Sequence, residues 1–152
     1  MTDDDLQFVV FQVGPLELAL SIFQVERILR WEQPAPLPSA PAFLEGVIPY
    51  GNSVVPVVDL RKRLDVPASQ KEETRVMVLE LESQRVGIVV DEVLEVLRVD
   101  TRTISPPPPM VKGLAAKYIT GILSQPDRTV VVLNAEKLLS SKERLALTSA
   151  VA

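Results

Sequence analysis

The stretch "GVIPYGNSVVPVVDLRKRL", residues 46 to 64, decides the fold because it predicts a complete structural unit. Two short apolar runs flank a turn at residues 49 to 52, and the second run leads into a helix start. The turn contains Gly and Asn, which tolerate positive φ angles, so we expect a β-hairpin followed by a short helix. The same pattern returns without gaps as "GILSQPDRTVVVLNAEKLL", residues 121 to 139.

The repetition extends to the segments that precede these hairpins. Residues 74 to 98, "TRVMVLELESQRVGIVVDEVLEVLR", align without gaps with the segment that ends at Arg30. Proline-rich stretches follow both copies, at residues 33 to 43 and 104 to 109, and predict extended crossovers. The shift is 68 positions in one block and 75 in the other, so one unit of about 70 residues occurs twice.

Each copy offers four or five short strands, which favours a small closed or half-closed barrel over an open sheet with exposed edges. We therefore predict one domain at residues 6–139, built from halves at about 6–64 and 74–139 that are linked near 65–73. Neither half alone buries enough area to be comfortably stable, so the two lobes are expected to share an apolar seam. Residues 140–152 are expected to form a C-terminal helix and tail.

Composition excludes several classes of protein. The chain has 152 residues, of which 47% are hydrophobic and 24% charged, as in ordinary globular proteins. No apolar run reaches the ~18 residues of a membrane helix, and the acidic start "MTDDDLQ" lacks the layout of a signal peptide. Together with the absence of cysteine, these features predict a cytoplasmic protein without direct membrane insertion.

Histidine is absent too, which removes imidazole bases, His metal ligands and Ser-His-Asp triads. A net charge of −4 argues against binding to nucleic acid, because phosphate binding requires a basic face. No glycine-rich phosphate loop is present. We therefore predict no enzymatic activity, no catalytic residues, no metal and no cofactor.

Several local features have two interpretations. Asp59 and its repeat equivalent Asn134 are predicted to be helix N-caps, in preference to a catalytic role for Asp59. The basic run "RKR", residues 61 to 63, is interpreted as a solvated helix face rather than a phosphate site. The stretch at residues 21 to 32 has apolar residues at helical spacing, but it is short and is also compatible with a strand.

Three segments of the chain resemble a known family. The segments "GVIPYGNSVVPVVDLRKRL", "RVGIVVDEVLEVL" and "KYITGIL...VVVLNAEKLL" are similar, in order and spacing, to the CheW-like coupling proteins of bacterial chemosensory systems. The resemblance covers about residues 6 to 139. It implies an all-β fold with short helices, in which two intertwined, SH3-like, five-stranded β-barrels share an apolar core.

The resemblance also implies a role. The family is a non-enzymatic adaptor that binds the regulatory domain of a chemotaxis-type histidine kinase and the cytoplasmic tip of a chemoreceptor. These contacts join receptors and kinases into arrays beneath the inner membrane, where weak ring-type assembly with itself or with the kinase is expected. An alternative is a CheW-like interaction module outside arrays that binds a different regulator, such as one of polarity or of a GTPase. A hydrolase with Asp91 and Glu92 as paired carboxylates is disfavoured.

The sequence departs from the family at the first hairpin. The family usually has Asn-Leu-Arg-Gly in the turn, so its Arg is replaced by Gly51, and it tends to have Glu at the position of Arg27. An ion pair between these two positions therefore cannot form in this chain. Either the surface drifted, since exposed ion pairs contribute only about 0–1 kcal/mol, or it was rewritten for a different partner.

The second interpretation predicts a partner-binding surface on the first lobe. The predicted contact residues are Val25, Arg27, Tyr50, Gly51, Asn52 and Val54. The sole tryptophan, Trp31, is either packed against the core or an interface anchor.

Overall fold

The computed structural model describes residues 5–38, 40–82, 84–107, 110–111, 114–140, 142–143 and 145–146. Almost all of its regular structure is β. The strands are β1 (Asp5–Val13), β2 (Leu16–Ser21), β3 (Val25–Arg30), β4 (Leu44–Tyr50), β5 (Ser53–Asp59), β6 (Arg75–Leu81), β7 (Gln84–Val90), β8 (Glu92–Asp100), β9 (Met110–Val111), β10 (Leu114–Ala115), β11 (Ile119–Gln125) and β12 (Arg128–Leu133). The helical elements are α1 (Leu60–Arg63), three 3₁₀ turns, Thr101–Thr103, Ala116–Tyr118 and Ala135–Lys137, and residues 142–143 and 145–146 near the C-terminus.

Strands from both halves of the repeat combine in each large sheet. Sheet A has the order β11-β12-β2-β1-β8, and sheet B has the order β3-β6-β7-β5-β4. The first hairpin of each half has thus moved into the sheet of the other half. A parallel pair joins the moved hairpin to its host in both cases, β12 with β2 and β5 with β7. We call the unit built on sheet A lobe A and the unit built on sheet B lobe B.

Three apolar clusters fill this framework. A shared core lies between the sheets and takes buried residues from both, including Phe11, Leu18, Met77, Leu79 and Ile88. Each lobe also encloses a core of its own. The lobe A core contains Phe8, Val10, Ala19, Val99, Leu123, Val130 and Val132, and the lobe B core contains Ile48, Val55, Val57, Val76, Val78 and Val89. The prediction of two intertwined five-stranded lobes that share an apolar core is therefore confirmed.

A glycine at the same position of each repeat lets the crossover pass close to the second hairpin. Gly46 has a φ of 142°, and a Cβ there would lie 2.4 Å from the carbonyl oxygen of Ala35. A Cβ at Gly121 would lie 2.6 Å from a side-chain carbon of Ile104. The crossovers form isolated bridges at these places, Ala35 with Val47 and Ser105 with Ile122. Glycine is thus the third residue of both β4 and β11 because the crossover passes directly against the strand there.

Asp59 is a helix N-cap as predicted, since its side chain accepts a hydrogen bond from the Arg61 amide at 3.0 Å. Asn134 is also an N-cap residue, as predicted, at the start of the last 3₁₀ turn, but its side chain forms no cap hydrogen bond. Residues 25 to 30 form strand β3, in agreement with the strand alternative. Residues 142–143 and 145–146 are helical, and the rest of the predicted C-terminal helix lies outside the described residues. The domain boundaries stay a prediction.

The interpretation of residues 61 to 63 as a solvated face is wrong for Arg61, which is fully buried. Its Nε and Nη2 donate to the two carboxylate oxygens of Asp59, both at 3.0 Å. Its Nη1 donates to the Ser69 carbonyl at 2.7 Å and to Asp91 at 3.2 Å. Asp91 in turn accepts a hydrogen bond of 2.6 Å from the amide of Gly14. Asp91 is therefore a structural partner and not an exposed carboxylate.

Opposite charges keep this guanidinium ionised. Burial by itself lowers the pKa of Arg61, but hydrogen bonds and charge from Asp59 and Asp91 outweigh burial and raise it. The cluster joins α1, the segment after it, the β7–β8 junction and the β1–β2 turn. It therefore links elements of both lobes.

The substitution Arg61→Met tests this role at nearly constant side-chain volume. It leaves the buried Asp59 carboxylate without its cation, so the free energy of unfolding should fall by about 3–5 kcal/mol in urea denaturation. Lys62→Met is the matched control on the same helix, because Lys62 forms an exposed ion pair with Glu45 and should cost at most about 1 kcal/mol. Equal losses in the two variants would show that the buried Arg61 stabilises the fold no more than an exposed lysine does.

Candidate partner-binding surface

A hydrogen bond between Tyr50 and Glu26 ties the end of β4 to β3, although these strands lie at opposite edges of sheet B. The Tyr50 hydroxyl donates to Glu26 Oε1 at 2.6 Å. A bulge in β3 between Val25 and Arg27 shifts the strand register at this place. The hydrogen bond to the carboxylate raises the pKa of Tyr50, because the phenolate could not donate it. The same bond, together with Arg85, lowers the pKa of Glu26.

Two arginines complete the arrangement around the tyrosine ring. The guanidinium carbons of Arg27 and Arg85 both lie 5.7 Å from the centroid of the Tyr50 ring, within the range of a cation–π contact. Arg85 also forms an ion pair with Glu26, with its Nε 2.9 Å from Oε1. We call Glu26, Arg27, Tyr50 and Arg85 the tyrosine cluster. It closes the open side of lobe B with side chains instead of backbone pairing.

The structure divides the predicted contact residues among three places. Arg27 and Tyr50 touch, and the exposed Gly51 and Asn52 form the adjoining turn, where Gly51 has a φ of 60°. Val54 is 47% exposed, but it pairs with Pro49 and therefore lies on the opposite face of the hairpin from Tyr50.

Val25 lies apart from the tyrosine cluster. It pairs with the buried Leu79 of β6 and packs against the shared core, where it is half-buried. The predicted residues therefore form one compact patch with two flanking positions, and their role in binding stays a prediction.

Trp31 is half-buried and packs against the lobe B core, close to the end of β3. The contact supports core packing for part of the ring. A role as an interface anchor stays a prediction for the exposed remainder.

Sequence reasoning missed two apolar residues on the edge strands. Ile28 on β3 is 41% exposed, and Val96 on β8 is 52% exposed. Their cross-strand neighbours, Met77 and Val9, belong to the shared core, so both side chains lie on that side of their sheets. The two positions are equivalent in the repeat, 68 residues apart. The ungapped alignment therefore already paired these two positions. Their exposure on edge strands could not be predicted because β3 had not been assigned as a strand.

Lobe A has a different cluster at the equivalent place. Arg128 contacts Glu17 at 3.2 Å and Glu95 at 2.5 Å. Glu95 is the repeat equivalent of Arg27, and Glu17 is that of Arg85. We call Glu17, Glu95 and Arg128 the arginine cluster. Both lobes are thus closed by side chains at the same place, by two guanidinium groups and one carboxylate in the tyrosine cluster and by one guanidinium and two carboxylates in the arginine cluster.

Comparisons with known proteins agree with this architecture. Residues 7–143 match the family described as the CheW-like domain. The chain belongs to the CheW-like family. It is 36% identical over 147 residues to the chemotaxis protein CheW of Klebsiella aerogenes, covering 96% of this chain and 88% of that protein. It is 30% identical over 148 residues to the CheW of Treponema pallidum, covering 94% and 87%.

A solved CheW structure has the same fold. The crystal structure of the scaffolding protein TtCheW from Thermoanaerobacter tengcongensis matches with a TM-score of 0.82 and 29% identity, covering 92% of each chain. The two lobes of this CheW-like chain are SH3-like, as predicted. The resemblance implied that this chain cannot form the ion pair expected of the family at the first hairpin. In the structure, Arg27 lies over the ring of Tyr50 at this place.

The substitution Glu26→Gln should bring the pKa of Tyr50 back towards the ordinary value of about 10, because a neutral amide accepts a weaker hydrogen bond from the hydroxyl than a carboxylate does and carries no charge to oppose the phenolate. The measurement is a pH titration followed by the ring carbon signals of Tyr50 in NMR spectra. Glu32→Gln, which changes an exposed carboxylate outside the tyrosine cluster, is the control and should leave this titration unchanged. A titration of Tyr50 that is the same in wild type and Glu26→Gln would show that the hydrogen bond is absent in solution.

Proposed function

We propose that this CheW-like chain is an adaptor that couples a chemoreceptor to a chemotaxis-type histidine kinase in a chemosensory array. The observation that carries the proposal is the extent of the match. Proteins named chemotaxis protein CheW align with 94–96% of the chain, and a scaffolding protein shares its two-lobed fold. The kinase regulatory domain and the cytoplasmic tip of the receptor are the partners that follow from this membership.

Two kinds of surface support an adaptor. The exposed Ile28 and Val96 offer apolar contacts beside the shared core, which suit the apolar face of a receptor helix. The tyrosine cluster and its turn offer a polar and aromatic surface at the open side of lobe B, of the kind that is frequent in protein interfaces. Because the shared core fixes one lobe on the other, an adaptor of this form holds its partners in a set orientation.

We propose that the chain acts by binding and not by catalysis. The sequence has neither His nor Cys, and no group of acidic residues in the described part could hold a metal ion. No helix among the described residues is long and apolar enough to cross a membrane. We propose a position in receptor arrays beneath the inner membrane, with ring-type contacts to the kinase or to further copies of the chain.

Affinity capture of the tagged protein from its own cells, followed by mass spectrometry, tests the proposal. Wild type should recover a chemosensory kinase and a receptor. Tyr50→Ala and Arg27→Glu should each reduce the recovery severalfold, since both change the tyrosine cluster. Arg102→Glu, at an exposed arginine in lobe A, is the control and should recover both partners as wild type does.

A different regulator recovered in place of kinase and receptor would contradict the array adaptor. It would support the alternative of a CheW-like module outside arrays. Full recovery with Tyr50→Ala and Arg27→Glu would show that the adaptor binds elsewhere.

A further inference from the structure

We propose that Arg27 docks a carboxylate of an acidic segment on the partner protein, a step that rests on the proposed adaptor function. Arg27 is exposed on edge strand β3, and its guanidinium contacts the ring of Tyr50. Among the ion pairs of the described residues, none includes Arg27. The neighbouring carboxylate of Glu26 is already engaged by Tyr50 and Arg85. The positive charge of Arg27 is thus available to a partner, and the contact with the Tyr50 ring sets its position.

The tyrosine cluster holds this charge in position before any partner arrives. The Tyr50 hydroxyl is bound to Glu26 at 2.6 Å, which fixes the ring on which Arg27 lies. A planar guanidinium on a fixed aromatic face loses little freedom on binding and presents its donors as a fork. That geometry suits the two oxygens of a carboxylate.

In lobe A, the charged residue at the position equivalent to Arg27 has an ion-pair partner within the chain. At the repeat equivalent of Arg27, Glu95 is already paired with Arg128 at 2.5 Å. The arginine cluster has two carboxylates and one guanidinium, whereas the tyrosine cluster has one carboxylate and two guanidinium groups. A second carboxylate, Glu80, lies across the strand pair from Arg85 and interacts with Glu26 and Arg85, which leaves Arg27 as the guanidinium of the tyrosine cluster that no carboxylate pairs among the described residues. A carboxylate of an acidic segment is therefore attracted to Arg27 on lobe B, whereas the two carboxylates around Arg128 repel it from the equivalent place on lobe A.

Arg30 is a matched control on the same strand. It is exposed, carries the same charge, and likewise forms no ion pair among the described residues. The register of β3 pairs Arg27 with Val78 of the lobe B core and pairs Arg30 with Arg75. Because three positions separate them on the strand, Arg30 lies on the opposite face and away from Tyr50.

The experiment uses the full-length chain, labelled with ¹⁵N, and two short capped peptides of the same length and apolar residues. One peptide carries glutamates and the other carries lysines at the same positions. The acidic peptide should shift the amide signals of Arg27, Tyr50 and Gly51, and the effect should weaken with added salt. Arg27→Glu should weaken this binding about fivefold to tenfold, because an exposed ion pair is lost and a repulsion replaces it. Arg30→Glu should change it less than twofold.

Three results would overturn the proposal: no shift at these residues with the acidic peptide at its solubility limit, equal binding of the basic peptide, or equal losses in the two variants. These outcomes are separate from those of affinity capture. If kinase and receptor are recovered but the acidic peptide does not bind at Arg27, the adaptor function stands and the docking site is wrong. If the peptide binds but neither partner is recovered, the adaptor function is wrong.

Discussion

A fully buried arginine, Arg61, joins the two lobes of the molecule. Removing a guanidinium from water costs several kcal/mol unless charge and hydrogen bonds replace the lost hydration. Arg61 obtains both from Asp59, from the Ser69 carbonyl and from Asp91. These partners come from β5, from the segment between the halves and from the β7–β8 junction. The site can be complete only when the halves have exchanged their hairpins, because Asp91 also binds the β1–β2 turn at Gly14.

The exchange of hairpins has a consequence for function. Each lobe contains strands from both halves, so the two halves cannot separate without disrupting both sheets. The two lobes differ at the place where each is closed by side chains. The tyrosine cluster and the arginine cluster occupy equivalent places but differ in charge and in aromatic content. A single chain thus presents two different ends on one rigid support, which is what an adaptor between unlike partners needs.

Much of the fold could be predicted from the sequence, because the repeated hairpins are local patterns. The repeat of residues 46 to 64 at 121 to 139 predicted both hairpins, and Asp59 was recognised as an N-cap from its position alone. Burial of Arg61 could not be predicted, since a one-turn helix has no periodicity and the decisive partner, Asp91, is 30 residues away. The strand at residues 25 to 30 was ambiguous because its bulge interrupts the alternation of a strand. The contact between Glu26 and Tyr50 could not be predicted either, because the two residues are 24 positions apart and the bulge changes the direction of the Glu26 side chain.

Differential scanning calorimetry of the full chain tests most directly whether the two lobes form one cooperative unit. We expect a single transition whose calorimetric and van't Hoff enthalpies agree, because the shared core and the Arg61 cluster join elements of both halves. Two separable transitions, or a van't Hoff enthalpy near half of the calorimetric value, would contradict it. Such a result would mean that the lobes unfold independently and do not hold bound partners in a fixed orientation.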